Sequence, residues 1–460
     1  MERKIGMVSL GCPKNQIDAE HILADLRREG YTITPNPADC DLVIINTCGF
    51  IDAAKAEAIE NILEFTQLKE EGRIQAVVVT GCLSERYRQQ ILEEIPEVDA
   101  VVGIGANQSI PEIVSQVLEG KTHLEQYGEK TDLSLEGERI LSTPPYTAYL
   151  KIAEGCSNHC TYCAIPSIRG PFRSRPMENI VQEAKVLAAQ GVKELILVAQ
   201  DTTNYGSDLY GRYALTDLLK QLFEIKEFAW IRLLYCYPDK ITDELLELMK
   251  GDNPLLPYLD LPLQHCADGV LKRMHRPMLG EETKQLLAHI RQTVPGITLR
   301  TTLIAGFPGE TEREFEQLCL FVKETKFDRL GCFAYSQEEG TPAAKLPDQI
   351  EEEVKQHRAE LVMEYQGRIM DRLSKRKIGS TIPVMLEGYD RMNRCCYGRS
   401  EADAPDIDCK VFFQAQGHHH TGEIIQVEIT DTMDGDLLGR EAGLPKRGKH
   451  TMLDIEKFEQ

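Results

Sequence analysis

The sequence has 460 residues, which at roughly 150 residues per domain suggests about three domains. Its 52 Lys and Arg against 73 Asp and Glu give a net charge of −21, which disfavours a protein that coats nucleic acid. A hydrophobic content of 42% excludes wholesale disorder. No apolar run approaches the ~18 residues of a membrane span, and the first residues lack the apolar core of a signal peptide. We therefore expect a soluble, cytoplasmic protein whose 14 cysteines are not disulfides.

The first 120 residues alternate short apolar runs with helical patterns, which predicts a parallel α/β domain. The predicted strands are 4–10, 41–46, 76–80 and 100–104, and the predicted helices are 18–29, 53–70, 85–94 and 109–118. A polar stretch that ends in two prolines follows, and residues 121–145 are interpreted as a linker.

Residues 146–376 contain six strand patterns separated by helical ones, which favours a partial (β/α)6 barrel. The six predicted strands are 149–154, 194–201, 230–237, 258–265, 297–305 and 329–336. A long amphipathic helix is predicted over 349–377, packed on the wall of the barrel. Residues 377–460 have short runs at 381–386, 410–413 and 423–429 between Gly, Asp and Pro, which indicates a small antiparallel β-barrel of about five strands.

Three cysteines lie close together in the pattern C-x3-C-x2-C after the first strand of the predicted barrel: Cys156, Cys160 and Cys163. Three thiolates in eight residues can hold one corner of a 4Fe–4S cube and leave one iron open. A closed zinc site needs a fourth ligand, and His159 lies between two of the cysteines, where it is badly placed to bind the same ion. A redox pair of Cys160 and Cys163 leaves Cys156 unexplained.

This cysteine pattern resembles that of the radical S-adenosylmethionine (SAM) enzymes, and the aromatic Tyr162 before the last cysteine fits the family. The resemblance implies that the open iron binds SAM, whose reductive cleavage gives a 5′-deoxyadenosyl radical. Polar residues at later strand ends are where a barrel builds its site, although each also fits a strand-end polar group without a ligand. The candidate SAM contacts are Tyr162, Gln200, Arg232, Gln264, Arg300 and, in a glycine-rich loop, Gly306, Gly309 and Glu310.

A second set of cysteines follows three different predicted strands of the first domain: Cys12, Cys48 and Cys82. The carboxyl ends of parallel strands share one edge of a sheet, so three thiols about 35 residues apart can converge there. Cys40 precedes a strand and is interpreted as a packed thiol.

Two three-cysteine sets in one chain resemble the methylthiotransferase branch of the radical SAM family. The branch implies a flavodoxin-like N-terminal domain, a radical SAM core and a C-terminal TRAM barrel. It also implies two 4Fe–4S clusters, with Cys12, Cys48 and Cys82 as ligands of the one that holds the sulfur to be inserted. One SAM then donates a methyl group to sulfur, and a second generates the radical.

Three segments resemble the methylthiotransferases that act on an aspartate β-carbon in the twelfth protein of the small ribosomal subunit. Residues 11–15 read Gly-Cys-Pro-Lys-Asn instead of the Gly-Cys-Gln-Met-Asn of the tRNA-modifying enzymes. Residues 261–265 read Leu-Pro-Leu-Gln-His instead of Leu-Pro-Val-Gln-Ser, and residues 398–408 resemble the TRAM sequence of the protein-modifying enzymes.

Charge supports the same substrate, because residues 377–460 carry 10 basic and 15 acidic residues, a net of −5. A barrel that grips tRNA needs excess Lys and Arg, whereas an acidic one suits a basic ribosomal protein. The expected partners are that protein, a low-potential electron donor and a sulfur donor, with tRNA disfavoured and no membrane. The alternatives are a tRNA methylthiotransferase acting on a modified adenosine and a non-catalytic iron–sulfur factor associated with the ribosome.

Two further groups of residues have open interpretations. Arg169, Arg173 and Arg175 form a basic spot after the radical-type cysteines, either for a carboxylate of the substrate or cofactor or for structural salt bridges. The remaining cysteines are interpreted as packing thiols, because none has ligand spacing and adjacent ones point to opposite faces of a strand. They are Cys236, Cys266, Cys319, Cys332, Cys395, Cys396 and Cys409.

Overall fold

The structure is a computed structural model that describes residues 3–443. These residues form two compact units, one that ends at Gln366 and one that begins at Gly367. The first unit contains two parallel sheets, and the second contains a closed β-barrel. A search of the described helices finds none that is both long and apolar enough to cross a membrane.

The N-terminal sheet contains six parallel strands whose first five follow the flavodoxin-like order 2-1-3-4-5, with the sixth added at the edge. The strands are β1 (Lys4–Ser9), β2 (Thr32–Thr34), β3 (Leu42–Thr47), β4 (Ala76–Gly81), β5 (Ala100–Val102) and β6 (Leu124–Gln126). Every residue of β3 and β4 is buried, because helices cover both faces of the sheet. This double burial explains why their sequences are almost continuously apolar.

Five helices pack on the two faces of this sheet, with separate hydrophobic cores. They are α1 (Pro13–Arg28), α2 (Asp52–Glu70), α3 (Cys82–Tyr87), α4 (Gln89–Glu94) and α5 (Ile110–Leu118). The single helix predicted over 85–94 is wrong, because Arg88 has a φ of +43° and separates α3 from α4. The sequence also gave no sign of β2 or β6, each three residues long and without a fully buried residue.

The central sheet contains six parallel strands in chain order and is open, which confirms the predicted partial (β/α)6 barrel. One predicted strand, 149–154, is divided in two, and the second part pairs with a short strand in a separate antiparallel ribbon. The strands of this region are β7 (Thr147–Lys151), β8 (Ala153–Glu154), β9 (Arg173–Ser174), β10 (Glu194–Val198), β11 (Trp230–Leu233), β12 (Leu255–Gln264), β13 (Thr298–Ala305) and β14 (Arg329–Ala334).

Helices alternate with the strands of the central sheet, and the last helix runs from the first unit into the second. Its side chains Lys355 and Arg358 donate to the Tyr335 carbonyl and to Glu310, so its first half packs on the barrel as predicted. The helices are α6 (Ile165–Arg169), α7 (Met177–Ala189), α8 (Leu215–Leu222), α9 (Asp243–Lys250), α10 (Asp268–Arg273), α11 (Gly280–Thr293), α12 (Glu312–Thr325) and α13 (Glu352–Lys375).

The second unit holds a closed barrel of five strands around a small apolar core, as predicted. The strands are β15 (Thr381–Asp390), β16 (Cys395–Ser400), β17 (Val411–Gln414), β18 (Ile424–Met433) and β19 (Asp436–Glu441). The barrel is not antiparallel throughout, because β17 and β19 pair in parallel. An odd number of strands cannot alternate direction around a closed ring. The predicted C-terminal domain extends to residue 460, and its residues 444–460 lie outside the described range.

The loop after β14 is anchored to the N-terminal domain by a buried ion-pair cluster. The Glu338 carboxylate is 2% exposed and lies 3.1 Å from Lys55 Nζ of α2 and 2.7 Å from Arg86 Nη1 of α3. Arg86 also donates to the carbonyl of Glu339 at 2.7 Å. These contacts join residues more than 250 positions apart, so they fix the last strand of the open barrel against the first sheet.

Replacing Glu338 with Ala is expected to lower the free energy of unfolding by about 3 kcal/mol, because Arg86, whose side chain is 9% exposed, loses its counter-charge and Lys55 keeps only the exposed Asp52. Urea denaturation measures this change. The matched control is Glu339→Ala, whose exposed side chain lies next in sequence and whose change is expected to stay below about 0.5 kcal/mol. Equal effects of the two substitutions would show that the ion pairs do not anchor the loop.

Candidate functional site

The three cysteines of the N-terminal domain lie at one edge of its sheet. Cys12 directly precedes α1, Cys48 directly follows β3, and Cys82 is the first residue of α3. Because β1, β3 and β4 are neighbouring parallel strands, their carboxyl ends bring these residues together. Burial raises the pKa of Cys82, and the nearby Cys12 and Cys48 raise it further, which reflects the proximity of the three sulfurs. We call these three residues the N-terminal triad.

Glycines make the close approach within the N-terminal triad possible. Gly11 has a φ of +89°, and a Cβ built on it would lie 2.7 Å from the Cβ of Cys48. Gly81 has a φ of +95°, and its Cβ would lie 2.5 Å from the carbonyl oxygen of Thr47. Both the left-handed backbone and the lack of space therefore require glycine beside the cysteines.

The cysteines of the C-x3-C-x2-C loop lie together between β8 and α6. Cys156 and Cys160 are buried, and burial, with a smaller effect of the neighbouring Cys160 and Cys156, raises the pKa of Cys163 to about 12. His159 is exposed. We call Cys156, Cys160 and Cys163 the barrel triad.

Polar groups of the barrel contact the barrel triad. The amide of Asn158 donates to Cys156 Sγ at 3.4 Å, and Tyr237 Oη lies 3.5 Å from Cys160 Sγ. Arg276 Nη1 donates to the same sulfur at 3.7 Å, and its guanidinium stacks on Tyr237. Sequence reasoning missed Arg276 and Tyr237 as neighbours of the triad. The position of Tyr237 at the end of a predicted strand was an available signal, whereas Arg276 lies in a loop that nothing marked.

The segment that follows the barrel triad contacts the N-terminal triad. Ala164, the residue after Cys163, packs with Ile168 of α6 against Cys82 of the N-terminal triad. Arg169, at the end of the same helix, donates to Cys82 Sγ from Nε at 3.3 Å and from Nη2 at 3.2 Å. One five-residue helix therefore joins the two thiol sets.

Arg169 belongs to a buried ion-pair network. Its Nη1 donates to Asp18 at 2.5 Å and to Glu154 at 3.3 Å. Lys151 pairs with the same two carboxylates, 2.8 Å from Glu154. All four side chains are at most 3% exposed. Although burial opposes it, the charges of Lys151 and Arg169 hold the pKa of Glu154 well below its usual range. Arg169 was one of three arginines interpreted either as structural salt-bridge residues or as contacts for a carboxylate of the substrate or cofactor. For Arg169, the structure shows salt bridges.

The thiols of the N-terminal triad differ in acidity. Burial raises the pKa of Cys82 to about 12, despite the neighbouring Arg169. Burial also raises the pKa of Cys48. Burial acts in the same direction on Cys12, but Lys14, Arg169 and the amides of residues 14 and 15 outweigh it, so the pKa of Cys12 is lowered. A cleft of about 1070 Å³, lined partly by Leu10, Gln16 and Arg27, opens beside Cys12.

The predicted SAM contacts at the strand ends already have partners within the protein. Gln200 donates to Glu154 at 2.5 Å, and Arg300 donates to Asp260 at 2.8 Å. Arg232 is fully buried and forms an ion pair of 2.9 Å with the equally buried Glu194. In addition, Gln264 donates to the carbonyl of Pro262 at 3.3 Å and has a φ of +71°. Their role in binding a cofactor stays a prediction.

The predicted glycine-rich loop is built around Glu310. Its carboxylate accepts from the amide of Gly306 at 3.0 Å and from Arg358 at 2.7 Å. The amide of Gly309 donates to Asp348, and Phe307, between the two glycines, meets the edge of Tyr162 at 6.4 Å. The structure therefore places Tyr162 against this loop, and a contact of either with a cofactor stays a prediction.

All 14 cysteines are free thiols. Among residues 3–443, no three His, Cys, Asp or Glu side chains are gathered tightly enough to hold a single metal ion. In a 4Fe–4S cube each thiolate binds a different iron, so the thiols that hold it lie farther apart than the ligands of one ion. The donor set of each triad, three clustered thiols, fits such a cube with one open iron.

Family models match three parts of the chain. Residues 4–103 match the uncharacterized protein family UPF0004, residues 150–322 match the radical SAM superfamily, and residues 378–441 match the TRAM domain. Among solved structures, the radical SAM methyltransferase TsrM from Kitasatospora setae is similar, with a TM-score of 0.54 and 15% identity. The likeness covers 75% of this chain and 77% of that chain, and at this identity it shows the fold alone.

Curated relatives match almost the whole chain. One from Desulforamulus reducens is 48% identical over 440 residues, covering 95% of this chain and 99% of that protein. Others from Geobacter sulfurreducens and Clostridioides difficile are 47% and 46% identical over 440 residues, each covering 95% of this chain and 98% of the relative. All three are named ribosomal protein uS12 methylthiotransferase RimO.

In metal-free protein, Cys12 is expected to react with iodoacetamide at pH 8 about tenfold or more faster than Cys82 and Cys163. The lower pKa of Cys12 gives it the larger thiolate fraction, and the cleft admits the reagent. Between pH 7 and 9.5, labelling of Cys82 and Cys163 should rise about tenfold per pH unit, since both pKa values are near 12. Peptide mass spectrometry over time measures each rate. Cys40, with a pKa near 11, is the internal reference. Labelling of Cys82 as fast as that of Cys12 would contradict the difference in acidity between the two thiols.

Proposed function

The chain belongs to the RimO family within the radical SAM superfamily, and we propose that it adds a methylthio group to the β-carbon of an aspartate in ribosomal protein uS12. The proposed cofactors are SAM and two 4Fe–4S clusters. The N-terminal triad is the proposed ligand set of one cluster, and the barrel triad that of the other. The chemistry needs a low-potential electron donor and a sulfur donor as partners.

The observation that carries this proposal is the juxtaposition of two thiol triads within one unit. Ala164 and Ile168 of the barrel touch Cys82 of the first sheet, so the triads are neighbours although they come from different domains. A reaction that breaks a C–H bond at one centre and forms a C–S bond at the other requires this proximity, because the substrate carbon must reach both.

When bound, the barrel cluster with SAM supplies a deoxyadenosyl radical, and the other cluster supplies the sulfur that is transferred. The protein's own side chains hold the two centres and exclude water. The network of Asp18, Lys151, Glu154 and Arg169 fills the space beside them with paired charges. Asp201 accepts from Asn158 at 2.8 Å and pairs with Lys240 at 2.5 Å, which orients the loop that carries Cys156.

The charge of the C-terminal barrel supports a protein substrate. The net charge of −5 over residues 377–460 attracts a basic ribosomal protein and repels a tRNA backbone. We also propose domain limits at 1–120, 121–145, 146–376 and 377–460, and a cytoplasmic location, where ribosomes are present. The family matches at 4–103, 150–322 and 378–441 support these limits.

The proposal is tested by incubating the cluster-reconstituted protein without oxygen, with SAM and a low-potential reductant. Isolated uS12 and unmodified tRNA are offered together, and both are analysed by mass spectrometry. We expect a gain of one SCH2 unit on an aspartate of uS12. The same gain on an adenosine would identify a tRNA methylthiotransferase, and no consumption of SAM would identify a non-catalytic iron–sulfur factor.

Variants assign the two triads in the same assay. Cys156→Ala is expected to abolish deoxyadenosine formation, because the barrel cluster loses a ligand. Cys12→Ala is expected to abolish methylthio transfer while deoxyadenosine is still released. Cys319→Ala, on the outer helix α12, is the matched control and should keep both activities. Full turnover in Cys156→Ala would refute the assignment of the barrel triad.

A further inference from the structure

Lys14 is a buried cation between the two sheets. It lies in the first turn of α1, two residues after Cys12, and is 6% exposed. Its Nζ lies 3.2 Å from the ring centroid of Tyr235. Tyr235 follows β11, at the carboxyl end of the central strands, where a barrel of this type builds its site. Lys14 therefore reaches from the N-terminal triad into the mouth of the barrel.

No carboxylate in residues 3–443 lies within ion-pair distance of Lys14. Glu154 acts on it only at longer range, and that carboxylate is already held by Lys151, Arg169 and Gln200. Burying an ammonium group is costly, but Tyr235 and Cys12 outweigh that cost, so that the pKa of Lys14 is raised and the group stays charged. The nearest groups that stabilise its charge are therefore Cys12 and Tyr235, and its ammonium group has no carboxylate partner in the described residues, so it can pair with the carboxylate of a ligand.

The surroundings hold Lys14 in place and add to its positive potential. The amide of Tyr235 donates to Asp260 at 2.9 Å, and Asp260 also pairs with Arg300 at 2.8 Å. These bonds fix the ring under the ammonium group. The sixteen-residue helix α1 begins at Pro13, and the amides of its first turn carry the positive end of the helix dipole. Lys14 and these amides make the potential positive at this point, where they also stabilise the thiolate of Cys12.

We propose that Lys14 determines substrate specificity by binding the carboxylate of the target aspartate. This inference rests on the proposed function. In aspartate the carboxylate is bonded directly to the β-carbon, so a fixed cation that holds a carboxylate oxygen keeps the β-carbon two bonds from that oxygen. Lys14 is two residues from Cys12, so the carbon is presented beside the centre that supplies sulfur. A carboxamide in the same place cannot form the ion pair.

The test compares two substrates, uS12 and its variant with Asn in place of the target aspartate. Each substrate is offered to four enzymes: the wild type, Lys14→Met, Lys14→Arg and Lys323→Met. Methionine keeps the length of the lysine side chain and removes its charge. Lys323 also lies over a tyrosine ring, 3.8 Å from the centroid of Tyr365, but is exposed and far from the triads in the chain, so it is the matched control. Labelled substrates measure affinity by fluorescence anisotropy, and mass spectrometry measures methylthio transfer.

We expect the wild type and Lys323→Met to prefer the aspartate substrate. Lys14→Met should lower that preference by about 30-fold or more, because a buried charge pair is lost. Lys14→Arg should restore part of it. The affinity for SAM and the visible absorption of the reconstituted clusters should not change, which separates loss of the substrate contact from misfolding of the site.

Three outcomes would overturn the inference while leaving the proposed function intact. The first is an unchanged aspartate preference in Lys14→Met. The second is an equal loss for both substrates, as a structural role predicts. The third is weaker SAM binding in Lys14→Met, which would show that the carboxylate held is that of SAM. Failure of the wild type to modify uS12 would instead count against the proposed function itself.

Discussion

The ion-pair network around Arg169 is the interaction on which the rest of the site depends. Its members come from α1 of the first sheet and from β7, β8 and α6 of the barrel, and all are almost fully buried. Burying charges is favourable only when every one is paired, so the network is stable only with the two domains docked in one arrangement. Because Arg169 also donates to Cys82, that arrangement fixes the distance between the two thiol triads.

Burial and the neighbouring charges give the thiols different acidities. Cys82 is buried and Cys163 is half-buried, and for both of them burial disfavours the thiolate form. Cys12 lies where Lys14, Arg169 and the first amides of α1 stabilise a negative charge. The N-terminal triad is therefore electrostatically uneven, with its most acidic member beside the cleft and its least acidic member against the barrel. Metal binding requires deprotonated thiols, so it has to offset the cost of deprotonating the less acidic members of the triad.

The parallel arrangement of the strands explains why the cysteines and the polar strand-end residues lie close together. In both sheets of the first unit the carboxyl ends of the strands carry the loops that matter: those of Cys12 and Cys48 in one, and those of Gln200 and Tyr235 in the other. The clearest signal of a site residue in the sequence was therefore a cysteine or polar residue directly after an apolar run that forms a strand. This rule predicted the fold class and the meeting of the N-terminal cysteines. It did not predict that Lys14 reaches Tyr235 or that Arg276 contacts Cys160, because each contact joins segments far apart in the sequence.

The sequence by itself determined the two cysteine sets, the two parallel sheets and the small closed barrel, because apolar periodicity and ligand spacing are local properties. It did not determine short edge strands such as β6, where one half-buried and two exposed residues carry too little pattern, or the break at Arg88. Only the tertiary structure showed that Arg169 joins Asp18, Glu154 and Cys82, residues that lie up to 151 positions away. Such pairings depend on how the two domains dock, and docking is decided by the complementarity of whole surfaces rather than by any segment of sequence.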